Sequence, residues 1–266
     1  MEDKTKIVVC GAEGKMGSLI IQLAIQKKEE FIVKGGVEYK AHSSVGKTNS
    51  SGIFISDNLS DVMKGDEVVI DFSTPEGAIE HLKECKIKKT PFVTGVTGFN
   101  SEDMKILKES SSDIPVFYSP NMSIGVNLFF EIIKFSAKIL KEYEIEISEI
   151  HHKFKKDAPS GTAKKIADII CNILNRKPEK VIKHGRAGLT GIRAVEEIGI
   201  HSLRLGDIVG EHYVYFGGSG EVIEISHRCY NRTAFASGAL KAASFIKNKK
   251  TGFYTMEDIL REVMNV

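Results

Sequence analysis

Cysteine is scarce in this 266-residue chain: four residues, at positions 10, 85, 171 and 229, with no Cys-x-x-Cys pair. That spacing argues against a disulfide framework or a structural zinc site, no metal is expected, and a reducing, cytoplasmic setting follows as the expectation. An excess of charge of either sign is also lacking. Lys and Arg number 37 against 35 Asp and Glu, a net charge of +2, so nothing global favours nucleic acid or an anionic membrane surface as a partner. No apolar run approaches the roughly 18 to 20 residues that cross a bilayer. The start, Met1 to Lys6, carries charges of both signs ahead of the short run Ile7-Val8-Val9-Cys10, whereas a secretory signal needs a longer apolar core. What is present is globular: 42% hydrophobic and 27% charged residues, in a length suited to at most two ordinary domains.

The first third alternates strand and helix patterns. Residues 6–11, 31–38, 68–72, 91–96 and 116–118 read as strands, and Met16, Leu19, Ile20, Leu23 and Ala24 have helical spacing over 15–28. Thr74 and Pro75 suit the cap and first position of a further helix. Strands separated by helical stretches imply βαβ units and a doubly wound, Rossmann-like parallel sheet. The texture changes after Asn121. A long helix is expected over 125–140, a half-buried strand over 143–150 with Tyr143, Ile145 and Ile147 on one face, and a helix over 161–174. Residues 191–201 and 211–216 read as strands, and Gly217-Gly218-Ser219-Gly220 as a hairpin turn into 221–227. The second region is therefore α+β with an antiparallel or mixed sheet. Helix returns at the end, where Ala234, Gly238, Ala242 and Phe245 form a stripe and Thr255-x-x-Asp258 resembles a capping box.

Three stretches carry chemistry. Gly11-Ala12-Glu13-Gly14-Lys15-Met16-Gly17 lies between the first strand and the first helix, where glycines let a pyrophosphate approach the helix amino terminus. Glu38 ends the second strand about twenty residues further on, placed to accept from ribose hydroxyls; the competing reading is a solvated strand end. Its carboxylate repels a 2′-phosphate, Tyr39 offers a stacking face without charge, and Lys40 either meets a phosphate or faces solvent. NADH is expected to serve at least as well as NADPH. The second stretch is His151-His152-Lys153-Phe154-Lys155-Lys156-Asp157-Ala158-Pro159-Ser160-Gly161-Thr162, a concentration of basic side chains running into a helix start. Cations converging on unpaired helix amides suit a carboxylate or phosphate, whereas the lysines alone would make a solvated loop. A continuing strand sends His151 and His152 to opposite faces, which makes them poor joint ligands for one metal. Third are two turns after strands, Gly95-Val96-Thr97-Gly98 and Ser119-Pro120-Asn121-Met122-Ser123, suited to a nicotinamide ring or simply to loop formation. Asp71 can cap a turn. His184, His201, His212 and His227 read as core or edge histidines, and Arg186 and Arg193 serve either an anion or an interface.

In these stretches the sequence resembles the 4-hydroxy-tetrahydrodipicolinate reductases, also called dihydrodipicolinate reductases, of diaminopimelate and lysine biosynthesis. The resemblance is carried by residues 11–17, Gly95-Val96-Thr97-Gly98-Phe99, residues 121–127 and residues 149–163, of which the run His151 to Thr162 is the most specific. Gly185-Arg186-Ala187-Gly188, Thr190-Gly191-Ile192-Arg193, residues 206–212 and Asn231-Arg232 with Phe235-Ala236 match as well, in the family's order along nearly the whole chain. The resemblance implies a dinucleotide-binding domain from residues 1–122 and 233–266, with a substrate and tetramerisation domain at 123–232. It implies a homotetramer acting on a cyclic imine with two carboxylates. By this likeness His151 is the proton donor and acceptor and Lys155 a proton donor, while His152, Ser160, Gly161 and Thr162 hold substrate. Gly11, Ala12, Glu13, Gly14, Lys15, Met16, Glu38, Gly95, Val96, Thr97, Ser119, Pro120, Asn121 and Met122 would touch the cofactor. Two departures stand out: Tyr39, where the family often carries a basic residue for the 2′-phosphate, and Glu13, whose side chain is expected to turn from the phosphates. The rival readings are another two-domain dehydrogenase, acting on an amino acid or its semialdehyde, and a sensor that binds NADH without turnover.

Overall fold

Alternating apolar stretches at the start of the chain fold as alternating strands and helices in the computed structural model, which describes residues 4–264. In chain order these are β1 (Thr5–Cys10), α1 (Lys15–Gln26), β2 (Phe31–Val37), β3 (Lys47–Thr48), β4 (Phe54–Ser56), α2 (Leu59–Val62), β5 (Val68–Asp71), α3 (Pro75–Lys88), β6 (Phe92–Thr94), α4 (Ser101–Ser110) and β7 (Pro115–Tyr118). The later elements α8 (Thr233–Ile246), β13 (Gly252–Tyr254) and α9 (Met256–Met264) join them. The helix starts are set locally. Thr74 Oγ1 accepts from the Gly77 amide with Pro75 at the first position, and Asn100 forms a reciprocal capping box with Asp103.

The eight strands lie in the order β13-β7-β6-β5-β1-β2-β4-β3, and every pairing is parallel except that of β3 with β4. Successive residues of β1 feed opposite faces. Ile7 and Val9 pack with Ile20, Ile21, Ala239 and Ala243, while Val8 and Cys10 pack with Leu82, Cys85 and Leu107. Burial on both faces is what a parallel sheet flanked by helices requires. The strand order reverses between β1 and β5, so their carboxyl ends bound the crevice where open α/β sheets take ligands. Of the stripe on α8, Ala234 is exposed and Ala242 is buried, and Gly238 packs closely: a Cβ there would lie 1.7 Å from the Met122 carbonyl oxygen.

The intervening elements are α5 (Ile124–Ile139), β8 (Glu144–His151), α6 (Gly161–Leu174), α7 (Pro178–Val181), β9 (Ile182–His184), β10 (Ile198–Arg204), β11 (Gly210–Gly218) and β12 (Glu221–Cys229). Their sheet is mixed, in the order β12-β11-β8-β10-β9. Here β10 is parallel to β8 and β9, whereas β11 is antiparallel to β8 and β12. Ile145, Ile147, Ile200, Val214 and Phe216 pack against Ile166, Ala167 and Ile170 of α6 and Phe129 and Ile133 of α5. By compactness the chain divides into one unit of residues up to Ile124 together with those from Arg232, and a second of Gly125–Asn231. One expectation fails. The strand foreseen over 191–201 begins only at Ile198: Gly191, at φ +72°, lies outside the extended range, and Gly185 and Gly188 before it take positive φ as well. At the last helix Asp258 accepts from both the amide and the hydroxyl of Thr255, which is one half of the expected capping box.

Candidate active site

The turn after β1 is shaped for a nucleotide. Gly11 sits at φ +71°, and a Cβ on Gly17 would lie 2.0 Å from the Gly11 carbonyl, so α1 reaches the strand end only with glycine at both positions. Gly14 begins α1 with no side-chain cap and no acid in the first turn, so the amides and positive end of the helix dipole are left for an anion. Across the turn, Glu38 Oε1 accepts from the Glu13 amide at 2.8 Å, which fixes a carboxylate beside the glycine loop. The Glu13 side chain accepts from Asn49 at 2.8 Å and is thereby drawn towards the β3–β4 hairpin.

Beyond the loop lies a pocket of about 370 Å³, lined by Met16, Phe72, Ser73, Gly95, Val96, Thr97, Pro120, Asn121, Met122 and Phe235. Apart from Phe235 of α8, these residues follow β1, β5, β6 and β7, and they bring together three stretches that the sequence kept separate. Ser119 Oγ donates to the Asn121 carbonyl and shapes the last of these turns. Asp71 caps the turn after β5 and does more besides. Its Oδ1 accepts from the amide and hydroxyl of Ser73 at 2.9 and 2.7 Å, and Oδ2 meets His81 Nδ1 at 2.6 Å. Burial works against a charged His81, but the bond and charge of Asp71 outweigh it and hold the imidazole pKa above its ordinary value. With Cys10 these groups place three metal-capable atoms within 4.8 Å of one another.

In the second unit, register gathers the titratable groups. Period two along β8 puts Glu149 and His151 on the face of Ile145 and Ile147. The neighbouring strands align Arg204 with His151, and both Ser202 and His212 with Glu149, so all share that face. Glu149, fully buried, accepts from His151 Nδ1 at 2.5 Å, from both terminal nitrogens of Arg204 at 2.9 and 2.8 Å, and from the Ser160 amide at 3.1 Å. Burial opposes its ionisation, yet hydrogen bonds from Arg204, His151 and Ser202 prevail and hold the carboxyl down at about 2. For His151, burial outweighs the upward pull of Glu149, with Lys155 and Arg204 adding to it, so its pKa falls below the ordinary value. His212 packs edge-on to His151 with ring centres 5.3 Å apart, and its Nε2 lies 3.0 Å from Ser160 Oγ. Burial, with the His151 charge next, pushes His212 down to about 3, which keeps it neutral near pH 7.

Ser160 also caps α6, its Oγ accepting from Ala163, while the first turn carries no acid and a Cβ at Gly161 would meet nothing within 4 Å. The open helix end at Gly161 and Thr162 is thus tied through Ser160 to Glu149 and His151. The basic run itself separates. Lys153, Phe154 and Lys156 are exposed, whereas Lys155 is half-buried with its Nζ 2.8 Å from Asp157. His152 donates its amide to Ile208, and its buried Nδ1 has no hydrogen-bond partner among the described residues. Arg186 and Arg193 are committed elsewhere, to Glu146. Sequence reasoning missed Glu149 and Arg204 and read His212 as a core or edge histidine. Glu149 was within reach of period-two counting; Arg204 and His212 needed the strand register.

The family described as "Dihydrodipicolinate reductase, N-terminus" matches residues 5–122, and "Dihydrodipicolinate reductase, C-terminus" matches residues 125–260. The chain is 44% identical over 263 residues to the 4-hydroxy-tetrahydrodipicolinate reductase of Geobacter metallireducens (strain ATCC 53774 / DSM 7210 / GS-15), covering 96% of this chain and 98% of that one. It is 44% identical over 265 residues to the protein of the same name from Aquifex aeolicus (strain VF5), with the same coverages. Among solved structures, it resembles the dipicolinate-bound dihydrodipicolinate reductase from Paenisporosarcina sp. TG-14 with a TM-score of 0.77 at 26% identity, covering 97% of this chain and all of that one.

The Ser160 contacts predict a stability effect. Ser160→Ala removes both the α6 cap and, among the described residues, the one hydrogen-bond partner of the buried His212 ring, whose Nδ1 has none there. The expected loss is about 2 kcal/mol, against about 1 for a cap alone. Urea unfolding checks this, and a loss below about 0.5 kcal/mol would contradict it.

Proposed function

Because the chain belongs to the dihydrodipicolinate reductase family, we propose that it reduces 4-hydroxy-tetrahydrodipicolinate to tetrahydrodipicolinate with NADH or NADPH, a step of diaminopimelate and lysine biosynthesis. The observation that carries the reading lies within residues 149–163. A polarised imidazole and a half-buried ammonium stand in one stretch with an open helix amino terminus, which is what a dicarboxylate ring in need of a proton requires. Gly161 and Thr162 amides, the Ser160 hydroxyl and His152 bind the carboxylates. His151 and Lys155 are the available proton donors, and a charge developing on the ring is stabilised by the Lys155 cation.

The first unit serves the nucleotide: residues 11–16 cradle the pyrophosphate, Glu38 meets the ribose, and the pocket from Gly95 to Met122 receives the nicotinamide. When bound, the reduced cofactor supplies a hydride to ring C4. The 4-hydroxyl departs as water with a hydrogen from C3, which opens the ring double bond that takes up the hydride, and the enzyme returns one proton to C3. The second unit is the substrate domain, and through its sheet the chain assembles as a homotetramer; Val222 and Ile223 of β12 are 66% and 40% exposed in the single chain. The activity belongs with the cytoplasmic pool of nicotinamide cofactors.

Purified enzyme should consume NADH or NADPH when given substrate freshly formed from pyruvate and aspartate semialdehyde, and Lys155→Ala should lower kcat by about 10²- to 10⁴-fold. No consumption by the wild type, or an unaltered kcat in the variant, contradicts the reading; the latter is what a cofactor sensor predicts. Glu38 repels a 2′-phosphate, and Tyr39, 67% exposed and edge-on to His42, offers it no charge. NADH is therefore used at least as well as NADPH. Tyr39→Arg adds a phosphate partner worth about 1 kcal/mol, raising the NADPH/NADH ratio of kcat/KM about fivefold, as steady-state kinetics with each cofactor would measure.

A further inference from the structure

The Glu149 carboxylate touches neither end of the proposed reaction, yet more of the site hangs on it than on any side chain assigned so far. Hydrogen bonds from His151 Nδ1, the two Arg204 nitrogens and the Ser160 amide, with Ser202 adding to them, leave neither oxygen free for substrate. Each of the Arg204 and Ser160 groups can only donate. An ionised carboxylate can only accept, so the His151 contact has one solution: Nδ1 carries the hydrogen and gives it to Glu149. The neutral ring then bears its lone pair on Nε2. That nitrogen has no protein partner among the described residues and lies beside Gly210, where a Cβ would stand 3.0 Å from it.

We infer that Glu149 is a positioning residue, a buried carboxylate compensated by Arg204 that fixes the His151 imidazole with Nδ1 protonated and so makes Nε2 the atom that exchanges the catalytic proton. The same carboxylate, through the Ser160 amide, fixes the start of α6, so the proton-exchanging nitrogen and the amides for the substrate carboxylate are held from one point. Arg204 has a separate electrostatic task. A lone buried carboxylate would hold His151 as imidazolium; the bidentate guanidinium offsets that charge, and its Nη2 also donates to the Asp157 carbonyl. The charged or titratable groups facing the ring are Glu149 on its own strand, Arg204 on β10, His212 on β11 and Lys155 in the following loop. Glu149 alone among them favours the imidazolium; Lys155 and Arg204 oppose it, and His212 is held neutral.

The inference rests on the reductase reading for its catalytic consequence but not for its geometry, and the test separates the two. Nitrogen-15 NMR of the histidine rings, with His151 assigned by loss of its signal in His151→Gln, should show the neutral ring of the wild type protonated on Nδ1. Glu149→Gln should shift the His151 titration to lower pH, and Arg204→Met should shift it to higher pH, each by about one unit. A generic loss of packing would not give shifts of opposite sign. The imidazolium is the proton-donating form, populated below its pKa. The high-pH limb of kcat should therefore move down in Glu149→Gln and up in Arg204→Met, with the KM for NADH unchanged. A wild-type ring protonated on Nε2 overturns the inference even if Glu149→Gln fails to fold. So does a titration that neither variant moves, or a kcat limb that stays in place while the titration shifts. An enzyme that turns over no substrate overturns the reductase reading instead, while the tautomer measurement still judges Glu149.

Discussion

The hydrogen bonds converging on the buried Glu149 carboxylate are the constraint on which the rest of the second unit's site depends. A carboxylate taken fully out of water costs several kcal/mol unless donors replace its hydration. Here those donors come from β8, β10 and the start of α6. Satisfying one charge therefore fixes the register of a strand pair, the orientation of a histidine and the position of a helix terminus. His212 extends the row: neutral and buried, it packs against His151 and shares Ser160 with the helix cap.

The first unit solves a related problem with backbone instead of side chains. For the anion we propose there, the amides at the start of α1 are open: the turn carries glycine where a Cβ would strike the backbone, and the first helical turn has no acid. Of the acids close by, Glu13 turns to Asn49, and Glu38 bonds to the Glu13 amide at the edge of the loop, in position for a neutral hydroxyl and unfavourable to a second phosphate. Asp71 acts on the pocket from below, through Ser73, without lining it. In both units a carboxylate sets the shape of a binding surface that backbone amides complete.

The sequence made much of this legible, and the exceptions have physical causes. β1, α1, β2 and β5 were readable because their apolar spacing is local, and α6 because Ser160-Gly161-Thr162 announces its cap. Period two also placed His151 on the buried face, as the structure has it. The same count would have put Glu149 there, where an unpaired acid is untenable; that was the one overlooked signal available in sequence. Arg204 and His212 lie more than fifty residues from Glu149 and meet it only through the pairing of β8 with β10 and β11, which no local pattern encodes. The strand foreseen over 191–201 failed for the opposite reason: apolar residues there suggested a strand, while glycines at positive φ set a loop that Arg186 and Arg193 tie to Glu146.

The central claim is that hydride from a nicotinamide cofactor and a proton from this protein reduce one cyclic dicarboxylate. Turnover with NADH carrying deuterium at the transferred position of C4, followed by mass spectrometry of the product, tests it directly. The account predicts tetrahydrodipicolinate heavier by one mass unit, formed one for one with the NADH oxidised. Unlabelled product, or NADH oxidised without any tetrahydrodipicolinate, would contradict it.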